Sequence, residues 1–405
     1  MNIGIVCEYN PFHNGHLYQI EKIREEFGID TNIIAVMSGN YVQRGGVAIA
    51  DKGLRAKCAV LSGANLVLEL PFPYSMSSAE YFAKSAVHIL DSLGCVDYIS
   101  FGSESGSIDA LLETAELMLS EEFISRLDEM SKDSESRKIG HAALCETVLK
   151  SLQGEKFNCV SLTPNNILAI EYIKAIISLK SNIKLHTVKR AFNSFSDESV
   201  VPGKVQSATA IRNSIESKDI SALEFVPDIT KEYILKAISD GDFPCENERL
   251  STAIIASLRL NLPMCQEDEI HDASGGLYNR LKDLSFKANT IQSLICAAES
   301  KKFTKSRIRR TLFYSLLGVT SSQFETLPAY TQLLALDSQG RAMLKTIGKQ
   351  SQFPILTKPS DTQKLPDAAI PQKMLSDKAD AIFQMAKPIP KDGNSALRFT
   401  PFVKK

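Results

Sequence analysis

No tryptophan occurs in this chain, and no sign of charge dominates it: 46 Lys and Arg stand against 47 Asp and Glu, a net charge of -1. No overall field therefore draws the molecule to nucleic acid or an anionic membrane, and any polyanion contact has to come from a local basic patch. No run of 18 apolar residues occurs, so no membrane association is expected. Met1–Tyr9 is apolar, but Asn10, Pro11 and His13 break it at once, so no secretory signal is expected. The eight cysteines (Cys7, Cys58, Cys95, Cys145, Cys159, Cys245, Cys265 and Cys296) include no CxxC pair, which argues against a zinc ribbon or a thioredoxin-type centre. Several, Cys7 among them, sit in apolar runs and read as small buried hydrophobes of a reducing, cytoplasmic compartment. Also missing are a GxxxxGK[ST] loop, a GxGxxG after the first apolar run and any metal-ligand cluster.

The pattern that is present begins with Ile3–Cys7, a continuously apolar, β-branched run that reads as a buried parallel strand. A loop with Pro11 follows, then helical spacing at Leu17, Ile20, Ile23 and Phe27, then a second strand over Thr31–Met37. The alternation continues with a helix over Lys52–Ser62, a strand over Leu66–Leu70, a helix over Ala79–Leu93 and a strand over Tyr98–Phe101. That rhythm predicts an α/β fold, a Rossmann-like parallel sheet with ligands at the carboxyl ends of its strands. Ser107–Leu152 reads as helical and charged, Ile167–Leu179 as a helix and Lys184–Lys189 as a strand; another helix opens at Ser207. After about Gly241 the rhythm fades, and Leu250–Lys349 reads as mostly helical. The expected division is a nucleotide-binding domain over 1–240 and a mainly α-helical C-terminal domain over 241–405. The pattern from Phe353 onward assigns no element.

The strongest chemical signal is His13-Asn14-Gly15-His16, directly after the first strand and at the start of a helix. Imidazoles at i and i+3 share one side of the first turn. Gly15 lets backbone approach a ligand, and the helix N-terminus offers N–H groups and a positive dipole end to phosphate. Such a turn also caps a helix, but the strand before it favours a nucleotide site. Ser207-Ala208-Thr209-Ala210-Ile211-Arg212 is the second signal: Ser207 and Thr209 can cap the helix or bind phosphate, and Arg212 can grip phosphate oxygens. Lys52 or Arg55 could reach a triphosphate, as could Lys189-Arg190 at the end of a strand. Gly102-Ser103-Glu104 and Pro164-Asn165-Asn166 could meet the nucleoside. Residues 301–350 hold nine Lys and Arg against two acids, an excess of +7, concentrated in Lys301, Lys302, Lys305, Arg307, Arg309 and Arg310. This local excess reads as a footprint for a phosphate backbone.

Val6-Cys7-Glu8-Tyr9-Asn10-Pro11-Phe12-His13-Asn14-Gly15-His16 resembles the opening of the bacterial tRNA(Met) cytidine acetate ligases. The resemblance continues through Ala48–Lys57, Gly63–Pro71, Phe101–Glu104, Pro164–Ala175, Ser207–Arg212 and Phe303–Gly318. It implies a HIGH-type nucleotidyltransferase domain followed by a helical tRNA-binding region. It implies that ATP and acetate form acetyl-adenylate with loss of pyrophosphate. The acetyl group then passes to N4 of the wobble cytidine of elongator tRNA(Met). The run Cys7, Glu8, Tyr9, Asn10, Pro11, Phe12, His13, Asn14, Gly15, His16, Leu17, Tyr18, Gln19 and Ile20 would hold ATP, completed by Gly102, one of Asn165 and Asn166, and Arg190. His13, His16, Arg212 and Lys52 would be catalytic, with magnesium arriving on the ATP phosphates. The chain departs from the family pattern at Gly53, where a tryptophan is usual, and at Ala191–Phe195 after Arg190, where a glycine-containing turn is expected. Two other readings stay open: a nucleotidyltransferase acting on a phosphorylated metabolite, and a non-catalytic, nucleotide-sensing RNA-binding protein. The roughly 160 residues of helical extension argue against the first.

Overall fold

In the computed structural model the described residues are 1–132, 140–153, 160–189, 206–262 and 269–405. The apolar runs form strands β1 (Asn2–Cys7), β2 (Asn32–Ser38), β3 (Leu66–Leu70), β4 (Tyr98–Ser103) and β5 (Lys184–Lys189). These lie parallel in the order β3-β2-β1-β4-β5, with Ile5 beside Ala35 on one side and Ser100 on the other. The chain reverses direction across the sheet between β1 and β4, and that switch opens a crevice at their carboxyl ends.

Alternation along each strand feeds two cores. Ile3, Ile5, Ile33, Ala35 and Met37 face α1 (Asn14–Phe27) and α2 (Lys52–Leu61). Ile34, Val36, Leu66 and Leu68 face α3 (Ala79–Ser92), with α7 (Pro164–Leu179) on the same side. Between them α4 (Ile108–Leu119), α5 (Glu121–Lys132) and α6 (His141–Gln153) build a helical excursion. Helices α8 (Ala208–Glu216) and α9 (Asp228–Ser239) precede a cluster of α10 (Ser251–Arg259), α11 (Leu277–Ser285), α12 (Ile291–Ala298) and α13 (Lys305–Leu317).

The stretch expected to be helical to Lys349 then breaks into β6 (Thr331–Leu336), which joins the main sheet antiparallel to β3. Leu333 and Leu336 complete one core while Leu334 and Ala335 complete the other. The tail adds α14 (Ser338–Gln350), β7 (Ile355–Leu356), α15 (Ala369–Phe383) and β8 (Phe402–Val403), the two strands pairing with β6. Helix α15 is bound to the first half of the chain: the Tyr41 hydroxyl donates to the Ala379 carbonyl (2.8 Å) and the Ser376 hydroxyl to that of Phe72 (3.0 Å). The expected boundary at residue 240 therefore does not separate two cores. The helices carrying the basic cluster are inserted between two parts of one sheet. The ring of Phe399 lies beside Gly53, where a Cβ would meet it at 3.0 Å, so an aromatic from the tail occupies the space next to the position that departs from the family pattern.

Candidate active site

The β1–α1 junction carries the paired histidines. Just beyond β1, Tyr9 adopts a left-handed backbone (φ 46°) and the Asn10–Pro11 peptide is cis. Tyr9 and Phe12 are buried and meet edge to face at 4.7 Å, anchoring the turn. Asn10 is held from both ends: its side-chain oxygen accepts from the Ile49 N–H (2.7 Å) and its carbonyl from Arg212 (2.7 Å).

His13 caps α1, its Nδ1 accepting from the Gly15 N–H at 3.0 Å, while His16 Nδ1 accepts from the His13 N–H at 3.2 Å. The two rings stack at 3.8 Å. This is a capping box built from imidazoles. A nitrogen that accepts from a backbone N–H carries no proton, so in the neutral rings the proton is assigned to Nε2 of each. The pair thus caps the helix through one nitrogen and presents an N–H donor on the other edge.

A cleft of about 1010 Å³ opens over this junction, lined by Cys7, Glu8, His13, Gly15 and His16 on one wall. Helix α8 supplies the next: Ser207 caps it (3.0 Å to the Ala210 N–H), and Arg212 is steadied by Thr209 Oγ1 (3.0 Å) as well as by Asn10. Burial, the largest influence, lowers the Arg212 pKa from its ordinary value, and Glu8 and Glu216 oppose that shift. Gly102 and Asn165 line the third side. Asn166 is committed elsewhere: its side-chain oxygen accepts from the N–H groups of Glu104 (3.0 Å) and Ser105 (3.3 Å), and its amide donates to the Ser161 carbonyl (3.0 Å). Asn165, which donates to Glu104 Oε1 (2.5 Å), is the one of the pair that faces the cleft. Arg190 lies outside the described residues.

Three sequence expectations need correction. Lys52 does not join this cleft: its ammonium contacts both Glu69 oxygens (each 2.8 Å) and Asp380 Oδ2 (2.6 Å), at the edge of a separate cavity of about 410 Å³. Burial opposes its charge, but Asp380 and Glu69 outweigh burial and raise its pKa above the ordinary lysine value. Arg55 is likewise turned inward, donating to the carbonyls of Glu8 (2.6 Å), Ser38 (3.1 Å) and Gly39 at the ends of β1 and β2 and to that of Ala50 (2.9 Å) before α2. The basic cluster divides. Arg310 pairs with Asp272 (2.6 Å), Arg307 donates to the Asp272 (2.8 Å) and Ser274 (2.7 Å) carbonyls, and Lys302 donates to that of Gly275 (2.7 Å). Lys301 stays exposed, whereas Lys305 and Arg309 line the same cleft as the histidines.

The sequence reading missed Arg44, exposed in the cleft on the loop between β2 and α2. Its signal was the Gly45-Gly46 pair that follows, a turn marker no motif had drawn attention to.

The HIGH Nucleotidyl Transferase family model matches residues 1–396. The chain is 39% identical over 363 residues to the tRNA(Met) cytidine acetate ligase of Thermoanaerobacter sp. (strain X514), covering 88% of each protein. It is 35% identical over 384 residues to the ligase of the same name from Acetivibrio thermocellus, covering 92% of this chain and 91% of that one. Among solved structures it is similar to apo Thermotoga maritima TmcAL, form I (TM-score 0.91, 31% identity, 99% of both chains). It also matches TmcAL bound with alpha-thio ATP, form II (TM-score 0.89, 30% identity, 100% of both chains).

Proposed function

The chain belongs to the HIGH nucleotidyl transferase family and, within it, to the tRNA(Met) cytidine acetate ligases, and from that premise we propose how its cleft joins acetate to a cytidine of tRNA. It is an ATP-dependent ligase. An acetate oxygen attacks the α-phosphorus of ATP and the bond to the β-phosphate breaks, so that pyrophosphate leaves with the bonding electrons. The N4 amine of the wobble cytidine of elongator tRNA(Met) then attacks the acetyl carbonyl, AMP departs with its oxygen, and the amine proton passes to solvent. Magnesium enters on the triphosphate as part of the substrate. A tRNA substrate places the reaction in the cytoplasm.

The observation that carries this reading is the stacked His13–His16 pair. Each Nε2–H is aimed by a capping bond on its own Nδ1. Donors fixed before reaction stabilise charge on the α-phosphate without reorganising. The N–H groups at the start of α1 act with them, and Arg212, held by Thr209 and Asn10, takes the departing pyrophosphate. Ser207 and Thr209 border the phosphates, and Gly102 and Asn165 border the nucleoside. Lys305 and Arg309 bring tRNA to the same cleft, whereas the bonds of Arg307 and Arg310 make them struts of α13.

Pyrophosphate release should require acetate, with no release when a phosphorylated metabolite replaces it, and tRNA from the reaction should carry N4-acetylcytidine by mass spectrometry. His16→Ala should lower kcat/KM for pyrophosphate release by about a hundred- to a thousandfold. Losing its cap costs only about 0.5–2 kcal/mol, so the variant should stay folded. Near-normal turnover in folded His16→Ala protein would remove the role given to the pair.

A further inference from the structure

Helix α13 carries three neighbouring arginines with different fates. Arg307 and Arg310 are bonded to the 272–274 segment. Arg309 points away from them, half-buried in the wall of the active-site cleft, and among the described residues no carboxylate lies within ion-pairing distance of it. The residues of α13 that line the cleft are Lys305, Ser306, Arg309 and Phe313. Their spacing is that of one helix face, so a cationic track runs from Lys305, exposed and paired at 3.6 Å with exposed Glu299, inward to Arg309.

The loop after β2 brings a second guanidinium to this track. Tyr41 and Val47 bridge, the Val42 N–H donates to the Gly46 carbonyl (3.1 Å) and the Gly45 N–H to that of Val42 (3.0 Å), leaving Arg44 at the tip. Gly45 (φ +88°) and Gly46 (φ +122°) press the loop onto α13 and the segment before α10. A Cβ on Gly45 would stand 2.6 Å from Arg309 Cβ and 2.7 Å from the Arg310 nitrogen, and one on Gly46 would stand 2.5 Å from Asn247 Oδ1. Asn247 also receives the Val47 N–H (2.8 Å). The acids on the same wall each hold another group, and Glu8 also lies in the field of Arg44. Glu248 accepts from the Gln292 N–H (2.7 Å) and Ser251 (2.7 Å), Glu246 pairs with Arg249 (3.3 Å) and Glu8 accepts from the Gln43 N–H (2.8 Å). Glu216 is the remaining carboxylate, in the field of Arg212 and Arg309.

We propose that Arg44 and Arg309 form a clamp for one phosphodiester of the tRNA, the one adjoining the cytidine to be acetylated. This rests on the ligase reading above. An enzyme acting on a base draws that nucleotide into its pocket, and the flanking phosphates come with it. Arginine forks match phosphate oxygens. The triphosphate already has the α1 N-terminus, the histidines and Arg212, whereas this pair sits where the loop and α13 meet, at the inner end of the track.

The test compares wild type with Arg44→Ala, Arg309→Ala, the double variant and Arg309→Lys, using elongator tRNA(Met) transcript and acetate, with a non-hydrolysable ATP analogue for binding and ATP for turnover. Each alanine variant should weaken tRNA binding roughly ten- to hundredfold and reduce the slope of log affinity against log salt by about 0.7. The double variant should lose much less than the product of the singles, because both arginines hold one group. Arg309→Lys should recover part of the loss, and the analogue's dissociation constant should stay within about twofold of wild type, which also shows that the variants are folded. An unchanged tRNA constant and salt slope would overturn the clamp. An equal loss of analogue affinity would assign the pair to the triphosphate, and a raised acetate KM with normal tRNA binding would assign it to acetate; either overturns the proposal. Wild-type protein that binds tRNA but leaves the cytidine unmodified would defeat the ligase reading and the clamp's stated purpose together. Wild-type acetylation with normal variant binding defeats the clamp alone.

Discussion

His13 and His16 each use Nδ1 in the cap of a helix and line the cleft beside it. The HxGH spacing made this legible, because residues i and i+3 of a first turn must be neighbours. Lys52 was not legible, because its partners are Glu69 and Asp380, the latter 328 residues away. Its sequence setting, after a capping aspartate at a helix start, suits a phosphate ligand as well as a buried ion pair. Lys52→Met should strand two buried carboxylates and cost about 3–5 kcal/mol of stability, read by chemical denaturation. The triple variant with Glu69→Gln and Asp380→Asn should regain much of that. ATP-analogue affinity in the folded fraction of Lys52→Met should match wild type; a tenfold loss would return the lysine to the triphosphate.

The elements differ in how plainly the sequence announces them. Helix α13 is evident from its spacing, and the local excess of charge pointed to the right segment. The excess could not say which cations are exposed to a ligand, because Arg309 and Arg310 are adjacent in sequence and only the contact with Asp272 separates them. The 42–47 loop was harder still, since its role depends on a backbone pressed against a helix more than 260 residues later. Gly45→Ala should impose about 1–2 kcal/mol of left-handed strain, plus the clash with α13, and displace Arg44. The expected result is a lower melting temperature and weaker tRNA binding than in Arg44→Ala. A Gly45→Ala protein with wild-type melting and tRNA affinity would show that the close approach is dispensable. The Asn165–Asn166 pair, undecidable from the sequence, separates because Asn166 is fully engaged with backbone groups and Asn165 lines the cleft.

At the scale of the molecule, one sheet is assembled from both ends of the chain. Burial of Leu333, Leu334 and Leu336 on β6 contributes about 1.5–3 kcal/mol each, which together rivals the whole stability of a typical domain. A chain ending at residue 330 would also lack Asp380 opposite Lys52. It should melt without a cooperative transition and fail to hold the ATP analogue; a cooperative melt near that of the full chain would show that the first half is self-sufficient. The six residues of β6 were read within a helical stretch because a short apolar run fits a buried strand or a buried helix equally well. Its partner, β3, lies more than 260 positions earlier. The sequence by itself determined the β-α alternation, the histidine turn and the segments bearing positive charge, because each is written in spacings of a few residues. Tertiary structure alone decided which lysine is a strut, which arginines face the cleft and where the sheet closes. Burial and pairing across hundreds of residues leave no local period to read.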